Sequence, residues 1–228
     1  DGRFIIIASR DSTARIYELI GEKSIDTLIV AHVLKKHPAD VFTAKFSPNG
    51  NFIVSLANDN TAWLWDFKPN NGKVALVKVL KGHTAPISSL NFSSDSRHFI
   101  TSSSDKCAII WDMNGTNVQI LKGHTGVINT AYFSSNGKYI VTCSDDFTVR
   151  VWDIMGNELA VLTCHTSDVV KAIFSPDGKY VLSASNDQTA CLMPWRVEDL
   201  LHKINVEKVR GEVWQMTQEN KKLYGIIE

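Results

Sequence analysis

The sequence predicts an all-β fold of small four-stranded antiparallel sheets fanned about one axis, the β-propeller architecture, and three observations carry the prediction. A block of about forty residues recurs four times, with a fifth, partial copy in front. Three independent markers keep one register through it: His37, His83, His124 and His165 step by 46, 41 and 41, as do Phe46, Phe92, Phe133 and Phe174, and Trp65, Trp111, Trp152 and Met193. Within each copy, short runs rich in Val, Ile, Phe, Thr and Tyr alternate with Asn-Gly, Asp-Gly or Ser-Asp turns, and no helical period is present. Four antiparallel strands per forty-residue repeat is the blade of a propeller.

In chain order, the opening copy (1–36), DGRFIIIASRDSTARIYEL and its connection, begins at an Asp-Gly turn. It lacks the innermost strand, carries Asp11 and Thr13 in its turn, and sets Tyr17 in the slot of the later tryptophans. The second copy (37–82) reads KKHPADVFTAKFSPNGNFIVSLANDNTAWLWDF before its last strand. In the third (83–123) the four strands are plainest: A over 87–92, B over 99–103, C over 107–111 and D over 118–121. The fourth (124–164) repeats this, and the fifth (165–195) shows no strand D. There Met193 replaces the tryptophan, and Pro194, which has no N–H, replaces the following aspartate and interrupts the ladder, so this blade is expected to be weaker or closed differently.

The expected strands are thus four A, five B, five C and four D, ragged at both ends. The expectation is the C-terminal part of a longer chain whose upstream blades complete a seven- or eight-bladed ring, with a closed five-bladed ring as the alternative. Beyond the propeller (1–195), residues 196–228 read as a helical tail. Leu200, Leu201 and Ile204 fall near one face before a stop at Gly211, and Thr217 and Gly225 bound a second short helix. Trp214 and Tyr224 would anchor this tail on the propeller. Two C–D connections are longer than the others; their extra residues, 21–27 and 68–73, belong to the opposite edge from the B–C turns and could contact an upstream domain.

Composition narrows the function classes. Twenty-four Lys and Arg balance twenty-four Asp and Glu, so no overall field draws nucleic acid or an anionic membrane, and no apolar run approaches the length of a membrane span. Cys107, Cys143, Cys164 and Cys191 show no CxxC or Cys/His ligand spacing and read as reduced, mostly buried small hydrophobes. That reading favours a cytoplasmic chain with no cofactor and no metal. Each copy also holds a hydroxyl, a histidine and an aspartate: His37, Ser55, Asp59; His83, Thr101, Asp105; His124, Thr142, Asp146; His165, Ser183, Asp187. These are the residue types of a hydrolase triad, but one active site needs one such set, whereas these recur with every blade beside a tryptophan whose indole N–H needs an acceptor when buried. An enzyme with a central-channel site would need converging carboxylates at the strand A starts, which instead read Val41, Ile87, Val127 and Val169, flanked only by Asp40 and Asp168.

The Gly-His openings, Ser-x-Asp-x-Thr turns and Trp-Asp closings resemble the WD-repeat family over about residues 1–195. The resemblance implies that His, Ser/Thr, Trp and Asp form a hydrogen-bonded chain inside each blade, with Trp65, Trp111 and Trp152 as donors; for the fourth copy Thr142 is preferred to Ser144 as the hydroxyl. It also implies that the D–A and B–C loops gather on one face as a docking surface for a protein or peptide. Arg10, Asn58, Lys106, Phe147, Asp168 and Asn186 are the candidate contacts, Phe147 foremost, since interface hot spots favour aromatics. The expected role is a non-catalytic interaction scaffold or ligand-sensing region. Less specifically, the end KVRGEVWQMTQENKKLYGIIE resembles the C-terminal ends of bacterial WD-repeat sensor regions that follow a STAND-type ATPase of the NACHT or NB-ARC class. That implies upstream domains of the same chain as partners.

Overall fold

The turn chemistry of the repeats predicts antiparallel hairpins, and that is what forms. The computed structural model describes residues 2–20, 27–68 and 73–196; in them are eighteen strands, no helix, and five antiparallel sheets with their strands in chain order. The first sheet comprises β1 (Phe4–Ser9), β2 (Thr13–Ile20) and β3 (Thr27–Leu34). The second comprises β4 (Val41–Phe46), β5 (Phe52–Ala57), β6 (Ala62–Lys68) and β7 (Lys73–Leu80). The third is β8 (Ile87–Phe92), β9 (His98–Ser103), β10 (Cys107–Asp112) and β11 (Asn117–Lys122). The fourth is β12 (Ile128–Phe133), β13 (Tyr139–Ser144), β14 (Val149–Asp153) and β15 (Glu158–Leu162). Three strands make the fifth: β16 (Val169–Phe174), β17 (Tyr180–Ser185) and β18 (Ala190–Pro194). The tail expected beyond Arg196, and most of the two long connections, lie outside the described residues.

Local sequence explains the hairpins. In the A–B turns a serine hydroxyl accepts from the N–H at the start of strand B, Ser47 from Phe52, Ser134 from Tyr139 and Ser175 from Tyr180, each at 3.0 Å. The left-handed position that closes three of these turns is glycine: Gly50, Gly137 and Gly178, with φ near 70°. The aspartate of Trp-Asp serves the C–D turn, Asp112 Oδ1 accepting from the N–H groups of Asn114 and Thr116 at 2.9 and 2.7 Å.

Strands B and C are buried on both faces, which is why they read as continuous apolar runs. In the third sheet Phe99, Thr101, Ile109 and Trp111 pair across β9 and β10 and face the second sheet's Val54, Leu56 and Leu64. The opposite row, Ile100, Ala108 and Ile110, packs on Ile128, Ala131 and Ile140 of the fourth. Two further interfaces of the same kind join the first sheet to the second and the fourth to the fifth. The pattern stops at the end sheets. On the fifth, Ile173, Leu182 and Leu192 stand opposite one another across β16, β17 and β18, and all three are exposed, Leu192 by 63%. On the first, Ile5 and Ile7 are exposed.

Inner strands are tied sideways by polar side chains. Asn91 Nδ2 donates to the Ala131 carbonyl at 2.8 Å, Asn129 Nδ2 to Val169 at 2.9 Å, and Lys45 Nζ to Leu90 at 2.8 Å. Burial, with Lys171 nearby, holds the Lys45 ammonium below its ordinary value.

Candidate functional site

Each relay begins with a buried indole. Trp111 Nε1 donates to Thr101 Oγ1 at 2.9 Å, and Trp152 Nε1 to Thr142 Oγ1 at 2.8 Å. An indole nitrogen can only donate and a carboxylate can only accept, so with the aspartate holding the imidazole N–H the hydroxyl accepts from the indole and passes its own proton on. Thr101 passes it to His83 Nε2 at 2.8 Å, and Thr142 to His124 Nε2 at 2.8 Å. The proton of each imidazole is thereby assigned to Nδ1, which donates to Asp105 and to Asp146 at 2.8 Å. Each carboxylate also accepts from a backbone N–H, Thr84 at 3.0 Å and Thr125 at 2.9 Å, and so clamps the D–A connection onto the B–C turn. Ser144 takes a different part, accepting from the Asp146 N–H.

Burial holds His83 and His124 below the ordinary imidazole value against the favourable carboxylate beside each. Burial works the other way on Asp146, but the bonds from Thr148, the Thr125 N–H and His124 outweigh it and leave the carboxyl at about 2. Glycine precedes these histidines for a steric reason. A Cβ at Gly82 would sit 2.9 Å from Trp111 Cη2 and 3.0 Å from Ile109; at Gly123 it would sit 2.9 Å from Trp152 Cη2 and 2.8 Å from Arg150.

Two relays depart from this scheme. In the second sheet, Trp65 Nε1 donates to Ser55 Oγ at 2.9 Å and Ser55 lies 2.7 Å from His37 Nε2, but Asp59 does not close the chain and His37 Nδ1 has no partner among the described residues. The expected Asp59 member is therefore not brought onto its histidine, and two substitutions explain it. Pro38 stands where Thr84 and Thr125 supply a backbone N–H, and proline has none to give. Trp63, meanwhile, donates to Thr61 Oγ1 at 2.8 Å, and Thr61 binds Asp59. In the fifth sheet His165 keeps Asp187 at 2.9 Å and Ser183 at 2.8 Å, but with Met193 in the indole slot Ser183 has no indole donor. Hydrogen bonds, first that of Thr189, hold Asp187 far below the ordinary carboxylate value. Trp195 sits lower, donating to the Gly178 carbonyl at 2.9 Å and packing edge-on against Tyr139.

The candidate contact residues share one edge of the sheets. Arg10, Asn58, Lys106, Phe147 and Asn186 occupy B–C turns and are exposed, while Asp168, half-buried, uses its carbonyl to accept from Asn186 N at 2.9 Å. Asn58 N is bound likewise by Asp40 O. Lys106 and Phe147 hold φ of 68°, a left-handed conformation that is strained for a phenyl-bearing residue; Phe147 is nevertheless 44% exposed.

One cluster escaped the sequence reading. Cys164, His165 and Cys191 bring Sγ, imidazole nitrogen and Sγ within 4.8 Å of one another. Cys164 fills the place of Gly82 and Gly123, and Cys191 that of Ile109 and Arg150, so the position that crowds a Cβ in the third and fourth sheets brings two thiols together here. The signal was the paired loss of glycine and tryptophan in one repeat, not a ligand spacing. Burial, then Cys191 beside it, pushes the Cys164 thiol up to about 12.

The family model for the WD domain, G-beta repeat, matches residues 29–66, 74–112, 115–153 and 156–192. A 70-residue stretch is 33% identical to nuclear distribution protein PAC1 of Arthroderma otae, covering 31% of this chain and 14% of that protein. Among the described residues, no helix is long and apolar enough to cross a membrane.

Proposed function

Because the chain belongs to the WD-repeat family, we propose that it is a non-catalytic protein-interaction scaffold that receives a protein or peptide on the edge formed by its D–A connections and B–C turns. WD-repeat domains generally bind proteins, and that membership points away from catalysis. The carrying observation is a constant support under variable tips. In the third, fourth and fifth sheets buried His–Asp clamps fix the D–A connections beneath turns that expose Lys106, Phe147 and Asn186, residues of different chemistry, and the first two sheets present Arg10 and Asn58 at the same turn without that clamp. Phe147 is the anchor in this reading, a half-exposed aromatic held in a strained turn and flanked by polar groups. The His, hydroxyl and Asp sets serve as internal supports, since His83, His124 and His165 each spend both nitrogens inside their own sheet.

The test is affinity capture from the source cells with wild type, Phe147→Ala and a variant altered on the opposite edge, each with its melting temperature. Loss of the same captured proteins in Phe147→Ala at unchanged melting temperature supports the reading. Capture that ignores Phe147→Ala but fails with the opposite-edge variant overturns it.

The proposal has a narrower form: a cytoplasmic, ligand-sensing region of a larger STAND-type ATPase, with upstream domains of the same chain among its partners. The uncovered apolar rows of the two end sheets support additional blades in a larger ring. A GxxxxGK[ST] loop encoded upstream would support the ATPase context; its absence from the complete reading frame would remove it.

A further inference from the structure

The fifth sheet departs from the third and fourth at three linked places: Cys164 for glycine, Cys191 for isoleucine or arginine, and Met193 for tryptophan. We propose that Cys164, Cys191 and His165 form a binding site for a borderline-soft divalent cation of the zinc class, with both thiolates and imidazole Nε2 as ligands. It is independent of the scaffold reading.

The geometry supplies what such a site needs. Three donor atoms of the types that select zinc lie within 4.8 Å of one another, from one buried and two half-buried residues. Tetrahedral bonds of about 2.3 Å to sulfur and 2.0–2.1 Å to nitrogen place neighbouring donors roughly 3.5–3.8 Å apart, so the cluster closes with side-chain shifts of about 1 Å. The imidazole is already prepared. The Asp187 carboxylate, 2.9 Å from Nδ1, can only accept, so it fixes the proton there and leaves the Nε2 lone pair for a metal. Carboxylate, imidazole and cation in that order is the usual outer-shell arrangement of metal-ligating histidines.

Ser183 Oγ, 2.8 Å from Nε2 and 3.9 Å from Cys164 Sγ, lies at the same spot. In the third and fourth sheets the equivalent hydroxyl is held by an indole; here methionine leaves it free to turn aside or to bind as a neutral oxygen. Binding is written M²⁺ plus two Cys–SH giving M(S–Cys)₂ and two protons, with the neutral imidazole adding its lone pair and no change of oxidation state. The Cys107 and Cys143 thiols lie in other sheets and take no part.

The experiment uses the full-length protein, kept reduced with a phosphine, and titrates Co²⁺ as a spectroscopic stand-in followed by Zn²⁺. One equivalent is expected, with a thiolate-to-cobalt charge-transfer band, intense tetrahedral d–d bands, release of two protons, and bleaching by Zn²⁺. Bound metal should shield Cys164 and Cys191 from alkylation, with Cys107 and Cys143 as internal references. Cys164→Gly and Cys191→Ile return residues that the third sheet already accommodates, so they keep the fold; each should weaken Zn²⁺ binding on the order of 100-fold or more. The site is overturned by no uptake at stoichiometric Co²⁺, by uptake without the thiolate band, by unchanged affinity in both variants, or by recovery of Cys164 and Cys191 as a disulfide in freshly isolated, unreduced protein.

Discussion

Replacing Thr142 by valine tests the relay most directly. The side chain is fully buried and nearly the same shape, but its hydroxyl holds both Trp152 Nε1 and His124 Nε2 at 2.8 Å. Without it, two buried polar groups lose a partner at about 1–3 kcal/mol each, so a loss of about 2–6 kcal/mol is expected. Ser183→Ala is the matched control. Its hydroxyl serves His165 but no indole, so one orphan remains and the loss should be about 1–3 kcal/mol. Native-state hydrogen exchange of amides in β13 and β17, with chelator present, reads the two locally even where the propeller does not unfold in one step. A cycle of Thr142→Val with Trp152→Phe should show coupling of about 0.5–3 kcal/mol. Ser183→Ala as costly as Thr142→Val, or a cycle with no coupling, would refute the argument that the indole and imidazole depend on one shared hydroxyl.

Met193→Trp alone should destabilise, because the indole would meet the Cys164 side chain where a Cβ at Gly82 or Gly123 stands 2.9 Å from Trp Cη2; adding Cys164→Gly should restore or exceed wild-type melting temperature. Additivity of the two would sink this account. His37, His83 and His124 lie below their ordinary 6.5 because burial opposes their charge, so the unfolded chain protonates first. Their contribution is whole above 6.5 and is lost as pH falls through 6.5 toward the lower folded values, by up to about 1.4 kcal/mol per pH unit for each histidine. Asp105 and Asp146, held below 3.8, add a second loss below that pH. A urea midpoint that rises between pH 7 and 5 would contradict the sign. Phe147→Gly should raise the melting temperature by relieving a left-handed phenylalanine worth about 1 kcal/mol, while weakening partner capture; an unchanged or lower melting temperature would show the turn unstrained.

Much of the scaffold was legible because each repeat carries its own short-range instructions. Ser-x-Asn-Gly and Ser-Asp turns set the hairpins, and apolar runs on B and C announced strands covered on both faces. The third sheet forms β8–β11 within a residue or so of the expected bounds. The second relay was readable in part: Pro38 is plain in the sequence, but its consequence depends on knowing that this residue's N–H would otherwise reach Asp59. Trp63, which engages Thr61, gave no sign of doing so, since an apolar residue in strand C looks like core. The thiol cluster was invisible to spacing rules because Cys164 lies in the connection after β15 and Cys191 in β18, twenty-seven residues on, and only the fold of the sheet sets them side by side.

The amino-acid order alone determined the repeat, the strand sequence and the residue types of the relay, because periodicity, turn propensity and indole chemistry act within a few residues. Tertiary packing decided the rest: which histidine keeps its carboxylate, which hydroxyl is shared, and which thiols meet. Those outcomes turn on small differences in distance between groups ten or more residues apart, set where one strand or connection lies against another.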